Sequence, residues 1–181
     1  MSTIRYHEMD SPIGVLTLGI SDRDGLCQIE FGSFEEHEDR LRSWSGRFFG
    51  TDIWGSDPAA LAPFEDQLRR YFAGELRVFT LPLDLRGTPF QVGVWQALIG
   101  IPYGEARSYK DVAEAIGSPK AVRAVGGANN RNPVPIVVPC HRVIGAAGAM
   151  VGYGGGLSIK TFLLGLEGYE GRASAAGGGR I

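Results

Sequence analysis

Cys140, His141 and Arg142 stand side by side in IVVPCHRVI, residues 136–144, directly after Pro139. A cysteine attacks as its thiolate, and the unperturbed thiol pKa of ~8.5 falls beside cationic groups. The pattern therefore predicts an activated nucleophile at Cys140. Adjacent side chains of an extended strand point to opposite faces, so either the chain turns here or a water carries a proton between thiol and imidazole. A carboxylate orienting the imidazole would complete a relay of the kind that activates other nucleophiles. Glu105, Glu114 and Glu167 are the candidates, and spacing alone does not choose among them. The plain alternative is a packed thiol beside a surface histidine.

The elements that must position this pair begin at Thr88-Pro89-Phe90-Gln91, which combines an N-cap, a first-position proline and a capping-box glutamine. The helix that follows should bury Val92, Trp95, Leu98 and Ile99 and end near Pro102. Ser108-Tyr109-Lys110-Asp111 starts another, with Val112, Ala115 and Ile116 apolar and Gly117 as its stop. Ser118-Pro119 predicts a third over Pro119 to about Asn129, and the pair reads as a helix-turn-helix. Its second member is rich in small residues, among them Ala121, Ala124, Gly126, Gly127 and Ala128. Val122 and Val125 should face the core and leave Arg123 outward, one long cation on a surface able to approach a narrow groove closely. Tight helix packing with a surface arginine is the competing explanation. After Cys140 comes a glycine-rich loop with Tyr153, then a helix capped by Ser158 with Phe162, Leu163 and Leu166 apolar, ending at Glu167.

The first part of the chain reads as sheet, in IRYHEM, GVLTLGI and LCQIEF, separated by the turn signals DSPIG and SDRDG. A helix is expected over Phe34 to Trp44, irregular chain through RFFGTDIWGS, and a second helix capped by Asp57-Pro58 with Leu61, Phe64, Leu68 and Phe72 on one side. VFTLPLDL reads as extended. The expected fold class is α/β: a small N-terminal β-sheet domain with helices over residues 1–85, then a mostly helical, winged-helix-like C-terminal domain with the helix-turn-helix over 86–170, and a flexible tail over 171–181.

Composition allows such a protein. Of 181 residues, 44% are hydrophobic and 21% charged, a globular balance. No apolar run approaches the ~18 residues of a membrane span, and the start MSTIRYHEMD lacks the regions of a signal peptide, so a cytoplasmic setting without membrane attachment is expected. There free thiols are expected at Cys27 and Cys140. Scattered Cys27, His7 and His37 give metal binding little support. The net charge of −2 hides an asymmetry: eleven acidic residues against four arginines from Asp22 to Asp66, but six basic against two acidic from Arg107 to Arg142. The second stretch suits an anionic partner.

PCHRV, preceded by AVRAVGGANNRNPVPIV and followed by YGGGLSIKTFLLGLEG, resembles the O6-alkylguanine-DNA alkyltransferase family over about Thr88 to Gly168. The resemblance implies a single-use DNA repair protein without cofactor that flips O6-alkylguanine from double-stranded DNA and moves the alkyl group to Cys140. It further implies that His141 acts through a water, with Glu167 behind it, and that Asn132 holds the turn between recognition helix and active-site strand. Tyr109 would donate a proton toward guanine N3. Arg123 would replace the flipped nucleotide, while Ala121, Val122, Ala124 and Gly126 line the minor groove. Tyr153 and Pro135 would wall the pocket, the backbone at Cys140 and Val143 would read the base edge, and Lys160 would brace the loop. Gly154 stands where some relatives have serine, which retains a backbone donor. The chain is expected to be a monomer, with cooperativity on DNA left open. The alternatives are a non-catalytic lesion binder on the same scaffold and a cysteine hydrolase.

Overall fold

The computed structural model describes residues 2–145, 153 and 155–169. The chain divides into two compact units, residues 1–87 and a second beginning at Thr88.

In the first unit, β1 (Ile4–Met9), β2 (Leu16–Ile20) and β3 (Leu26–Phe31) form the expected sheet as an antiparallel run, and β4 (Trp54–Ser56) adds a parallel edge to β1 in the order β3-β2-β1-β4. The stretch read as irregular is thus partly ordered. The first helix, α1 (Phe34–Phe49), runs beyond Trp44 until Gly50 closes it in the left-handed region. Its face buries Phe34 and Leu41 against Ile4, Cys27 and Trp54. In α2 (Pro58–Phe72), Asp57 accepts from the Ala60 amide as N-cap and Pro63 lies within the helix. Tyr71, not Phe72, is fully buried beside Leu61, Phe64 and Leu68.

The second unit is helical: α3 (Pro89–Ile99), α4 (Tyr109–Ala115), α5 (Val122–Asn130) and α6 (Leu157–Leu166), with a two-stranded parallel sheet of β5 (Arg107–Ser108) and β6 (Val143–Ile144). Thr88 and Ser108 each form the full capping box. The buried faces differ in part from the pattern. Val94 joins Trp95 and Leu98 inside α3 while Ile99 is exposed, and Ala113 rather than Ala115 is buried in α4.

The helix-turn-helix pairs α4 with α5, but the second helix starts at Val122 instead of Pro119. The Ala121 amide donates to the Ser118 carbonyl, so Ser118–Ala121 closes a separate turn, and α5 begins without a side-chain cap. The late start also moves the faces. Val125 is fully buried, whereas Val122, expected in the core, is exposed on the same surface as Arg123 and Ala124.

Candidate active site

No strand precedes Cys140. Residues 133–138 are a succession of turns, since Pro133, Pro135 and Pro139 remove the amide donors a strand would need. Ile136 is held at φ +76°, a left-handed conformation that costs a β-branched residue about 1–3 kcal/mol. Asn132 braces this run from both sides: its Nδ2 donates to the Val138 carbonyl at 2.8 Å and its Oδ1 accepts from the Val134 amide at 2.9 Å. The chain between Asn132 and Cys140, expected to lead into an active-site strand, is not itself a strand. Cys140–Arg142 form a single 3₁₀ turn, and the strand begins only at Val143.

Inside that turn all three chemical side chains are buried. His141 Nε2 meets Glu167 Oε2 at 2.8 Å, which selects Glu167 over Glu105 and Glu114. The same carboxylate receives the forked guanidinium of Arg142, Nε to Oε1 at 2.8 Å and Nη2 to Oε2 at 2.9 Å, while Arg142 Nη1 donates to the Ile101 carbonyl at 2.6 Å. Burial raises the Glu167 carboxyl, but the bonds from His141 and Arg142 outweigh it and bring the pKa down to about 2. Burial holds His141 below its ordinary value against the pull of Glu167. An ionised Glu167 facing a neutral imidazole fixes the tautomer: Nε2 carries the hydrogen and Nδ1 keeps its lone pair. That Nδ1 is buried and has no hydrogen-bond partner among the described residues.

The sulfur differs from the sequence expectation in one respect. Burial pushes the Cys140 thiol up to about 11, and the groups opposing burial are Asn132, Lys160, a backbone amide and Tyr153, not Arg142. The adjacent cation is committed to Glu167. Lys160, expected to brace the loop, is fully buried in α6, and its Nζ donates to the Val143 carbonyl at 2.6 Å. Burial brings this amine down to about 8, with Cys140 pulling it the other way. Phe162, read as apolar-face, is exposed instead, and Leu163 and Leu164 are inside. The Val143 amide donates to the Cys140 carbonyl, and the Val143 carbonyl accepts from Lys160 Nζ.

Tyr109 opens α4, half-buried; burial, then Cys140, raises its phenol, and a hydrogen bond with Asn129 opposes them. Thus Tyr109, Cys140, His141, Asn132, Glu167, Lys160 and Tyr153 converge, and Pro135 is buried in the same run of turns. Gly154 lies outside the described residues. The sequence reading missed two participants. Arg142 was seen only as a cation beside the thiol, and Asn129 only as a helix end, although its position four residues after Val125 placed a polar side chain on the core face.

On the surface of α5, Ala121 and Gly126 are half-buried, and Val122, Arg123, Ala124 and Gly127 are exposed. Arg123 makes no ion pair with any of the described residues. A Cβ on Gly127 would meet nothing within 4 Å, and on Gly126 only the Tyr109 ring at 3.9 Å. Neither glycine has positive φ. Internal packing and backbone conformation therefore leave both glycines unexplained, although each costs about 1 kcal/mol of helix propensity.

A thiol, an oriented imidazole and a buried carboxylate beside a helix-turn-helix define a class of nucleophilic, DNA-directed protein. Residues 89–169 match the sequence model of the 6-O-methylguanine DNA methyltransferase DNA binding domain, and residues 4–85 that of the ribonuclease-like domain of the same name. The chain belongs to the 6-O-methylguanine DNA methyltransferase family. It is 58% identical to a methylated-DNA–protein-cysteine methyltransferase of Mycobacterium leprae, over 92% of this chain and 94% of that one. The constitutive enzyme of Bacillus subtilis is 48% identical over 90% and 94%. The crystal structure of Mycobacterium tuberculosis O6-methylguanine methyltransferase superposes with TM-score 0.77 at 48% identity, covering 92% and 93%. A structure of the Mycobacterium tuberculosis protein in complex with DNA gives 0.76 at 48%, covering 90% and 92%.

Proposed function

We propose that this protein repairs O6-alkylguanine in double-stranded DNA by moving the alkyl group irreversibly to Cys140. The observation that carries the assignment is the buried His141–Glu167 bond, which leaves Nδ1 of the residue next to Cys140 as an acceptor without a partner among the described residues. Through a water, Nδ1 takes the thiol proton, and Glu167 stabilises the imidazolium that results. Such help is needed, because a thiol raised to about 11 is almost wholly protonated at neutral pH. Lys160, Asn132 and Tyr153 then favour the negative sulfur.

Sγ attacks the alkyl carbon, the S–C bond forms as the C–O6 bond breaks, and the bonding pair stays on the base. Tyr109 supplies a proton to guanine N3, so neutral guanine leaves. The lesion reaches Cys140 by flipping. The bare face of α5 approaches the minor groove, and Arg123 enters the place of the extruded nucleotide. The protein works as a monomer in the cytoplasm. No described helix is long and apolar enough to cross a membrane.

Intact mass after incubation with duplex DNA containing O6-methylguanine tests the proposal. One retained methyl on Cys140 per molecule is expected, with none on a Cys140→Ser variant that still binds DNA. Repeated turnover, or an unmodified Cys140 after repair, would overturn it.

A further inference from the structure

The helix proposed to face DNA has little of its own to hold it in place. α5 spans nine residues, starts without a side-chain cap and carries Gly126 and Gly127, both poor helix formers. Its neighbour α3 is the opposite case, with Pro89 at its first position and the full capping box of Thr88 and Gln91. One side chain ties the weaker helix to the stronger. Trp95 of α3 is 2% exposed, and its indole Nε1 donates to the Ala128 carbonyl of α5 at 2.8 Å. That carbonyl lies in the last turn, where the in-helix partners run out, and it also accepts from the Arg131 amide at 3.1 Å, so both of its lone pairs are used. A buried indole needs an acceptor anywhere; here the acceptor leads into the active site. The Asn132 amide closes the same turn onto the Asn129 carbonyl at 3.4 Å, and the Asn132 side chain then braces Val134 and Val138 at 2.9 and 2.8 Å, on the run that ends at Cys140.

The geometry points to Trp95 as a positioning residue for alkyl transfer: its indole N–H holds the last turn of α5 where Asn132 can aim the Cys140 turn. The inference rests on the transfer to Cys140 proposed above. Trp95 acts through Asn132 and not on the reacting atoms. If the indole let go, the last turn of α5 could shift along α3 and take Asn132 with it, and a misplacement of about 1 Å is enough to slow a displacement that needs Sγ in line with the breaking C–O6 bond. The chain beyond Asn132 cannot absorb such a shift easily, because Pro133, Pro135 and Pro139 stiffen it and Ile136 is already held at φ +76°. The two glycines that leave the outer face of α5 bare also weaken it, and the indole supplies from the inside the hold they give up. One bond thus serves both ends of the helix, the exposed surface around Arg123 and the brace on the nucleophile.

Single-turnover transfer to free O6-benzylguanine by the full chain tests this without involving DNA. Trp95→Phe removes the donor with part of the ring, and Trp95→3-benzothienylalanine replaces only the N–H by sulfur, so the isostere carries the test if phenylalanine does not fold. Each is measured with Asn132 intact and in an Asn132→Ala background, well below its own melting temperature. Val94→Ala, which thins the buried face of the same helix, serves as the control for a weakened α3. With Asn132 intact, both Trp95 variants should transfer about tenfold more slowly, while Val94→Ala keeps the native rate. In the Asn132→Ala background the Trp95 loss should shrink to about twofold or less, because residues acting through one another are non-additive, yet the melting temperature should still fall in both backgrounds. Native rates for both Trp95 variants, an equal fold-loss in the two backgrounds, or a Val94→Ala as slow as they are would overturn the inference and leave the proposed function standing. No adduct on the unaltered chain would instead overturn the proposed function.

Discussion

Replacing Glu167 by glutamine separates two roles that one carboxylate fills. Glu167 accepts from His141 Nε2 and twice from Arg142, and all three side chains are buried. A carboxyl brought from 4.5 to about 2 by folding is worth roughly 3 kcal/mol of stability at neutral pH. Removing one partner of a buried pair costs about 3–5 kcal/mol, because the other charge stays buried alone. By either route the loss is about 3 kcal/mol or more, and Glu167→Gln should lower the melting temperature of the second unit by roughly 10–20 °C. Removing the guanidinium as well changes the sign of the argument. In Arg142→Met with Glu167→Gln no unpaired charge remains, the Ile101 carbonyl loses one donor, and stability should return to within about 2 kcal/mol of the native protein. Chemistry should not return with it. A neutral amide can hold the ring but cannot stabilise an imidazolium, so both variants should alkylate Cys140 about a hundredfold more slowly with free O6-benzylguanine. Urea melts and single-turnover mass analysis read the two effects independently. A double variant as unstable as the single one refutes the unpaired-guanidinium argument. A double variant that reacts at the native rate refutes the relay and leaves Glu167 as a structural partner of Arg142.

The same carboxylate predicts an acid limb. Its folded pKa lies below the unfolded one, so its contribution is complete above about pH 4.5 and is lost as pH falls toward 2; the stability gap between native protein and Glu167→Gln, followed by urea midpoint, should shrink over that range, and a constant gap would contradict it. Arg123→Ala should slow repair of duplex DNA far more than reaction with free O6-benzylguanine, since only the duplex has a gap to fill; equal losses on both substrates would make Arg123 structural.

What could be read from sequence divides along a physical line. Local signals held at three helix starts, where Thr88 with Gln91, Ser108 with Asp111 and Asp57 before Pro58 each cap as expected; they failed at Ser118-Pro119 and at Ser158, since α5 begins at Val122 and α6 at Leu157, behind Gly156, neither with a side-chain cap. Helix faces held less well. Choosing Val94 over Val92, or Tyr71 over Phe72, depends on which neighbour the helix packs against, and an apolar residue on either side satisfies a periodic pattern. α6 shows the limit most plainly: Phe162 reads as part of the apolar face, yet its ring is exposed while the Lys160 amine is fully buried on the Val143 carbonyl. The amine can go inside because a carbonyl and a polarised sulfur await it there, and no local pattern encodes that.

The adjacency of thiol and imidazole is resolved by the turn itself. In a 3₁₀ turn successive side chains diverge by about 120°, so His141 can point back to Glu167 while Cys140 points elsewhere, and the two need not touch to cooperate. The strand geometry that made them incompatible is excluded upstream, by Pro133, Pro135 and Pro139, by Ile136 at φ +76° and by the double brace from Asn132. The strain at Ile136 is then part of what aims the site. An extended path through residues 136–139 would relax it, and would also carry Cys140 out of the turn that lets Arg142 and His141 share one carboxylate.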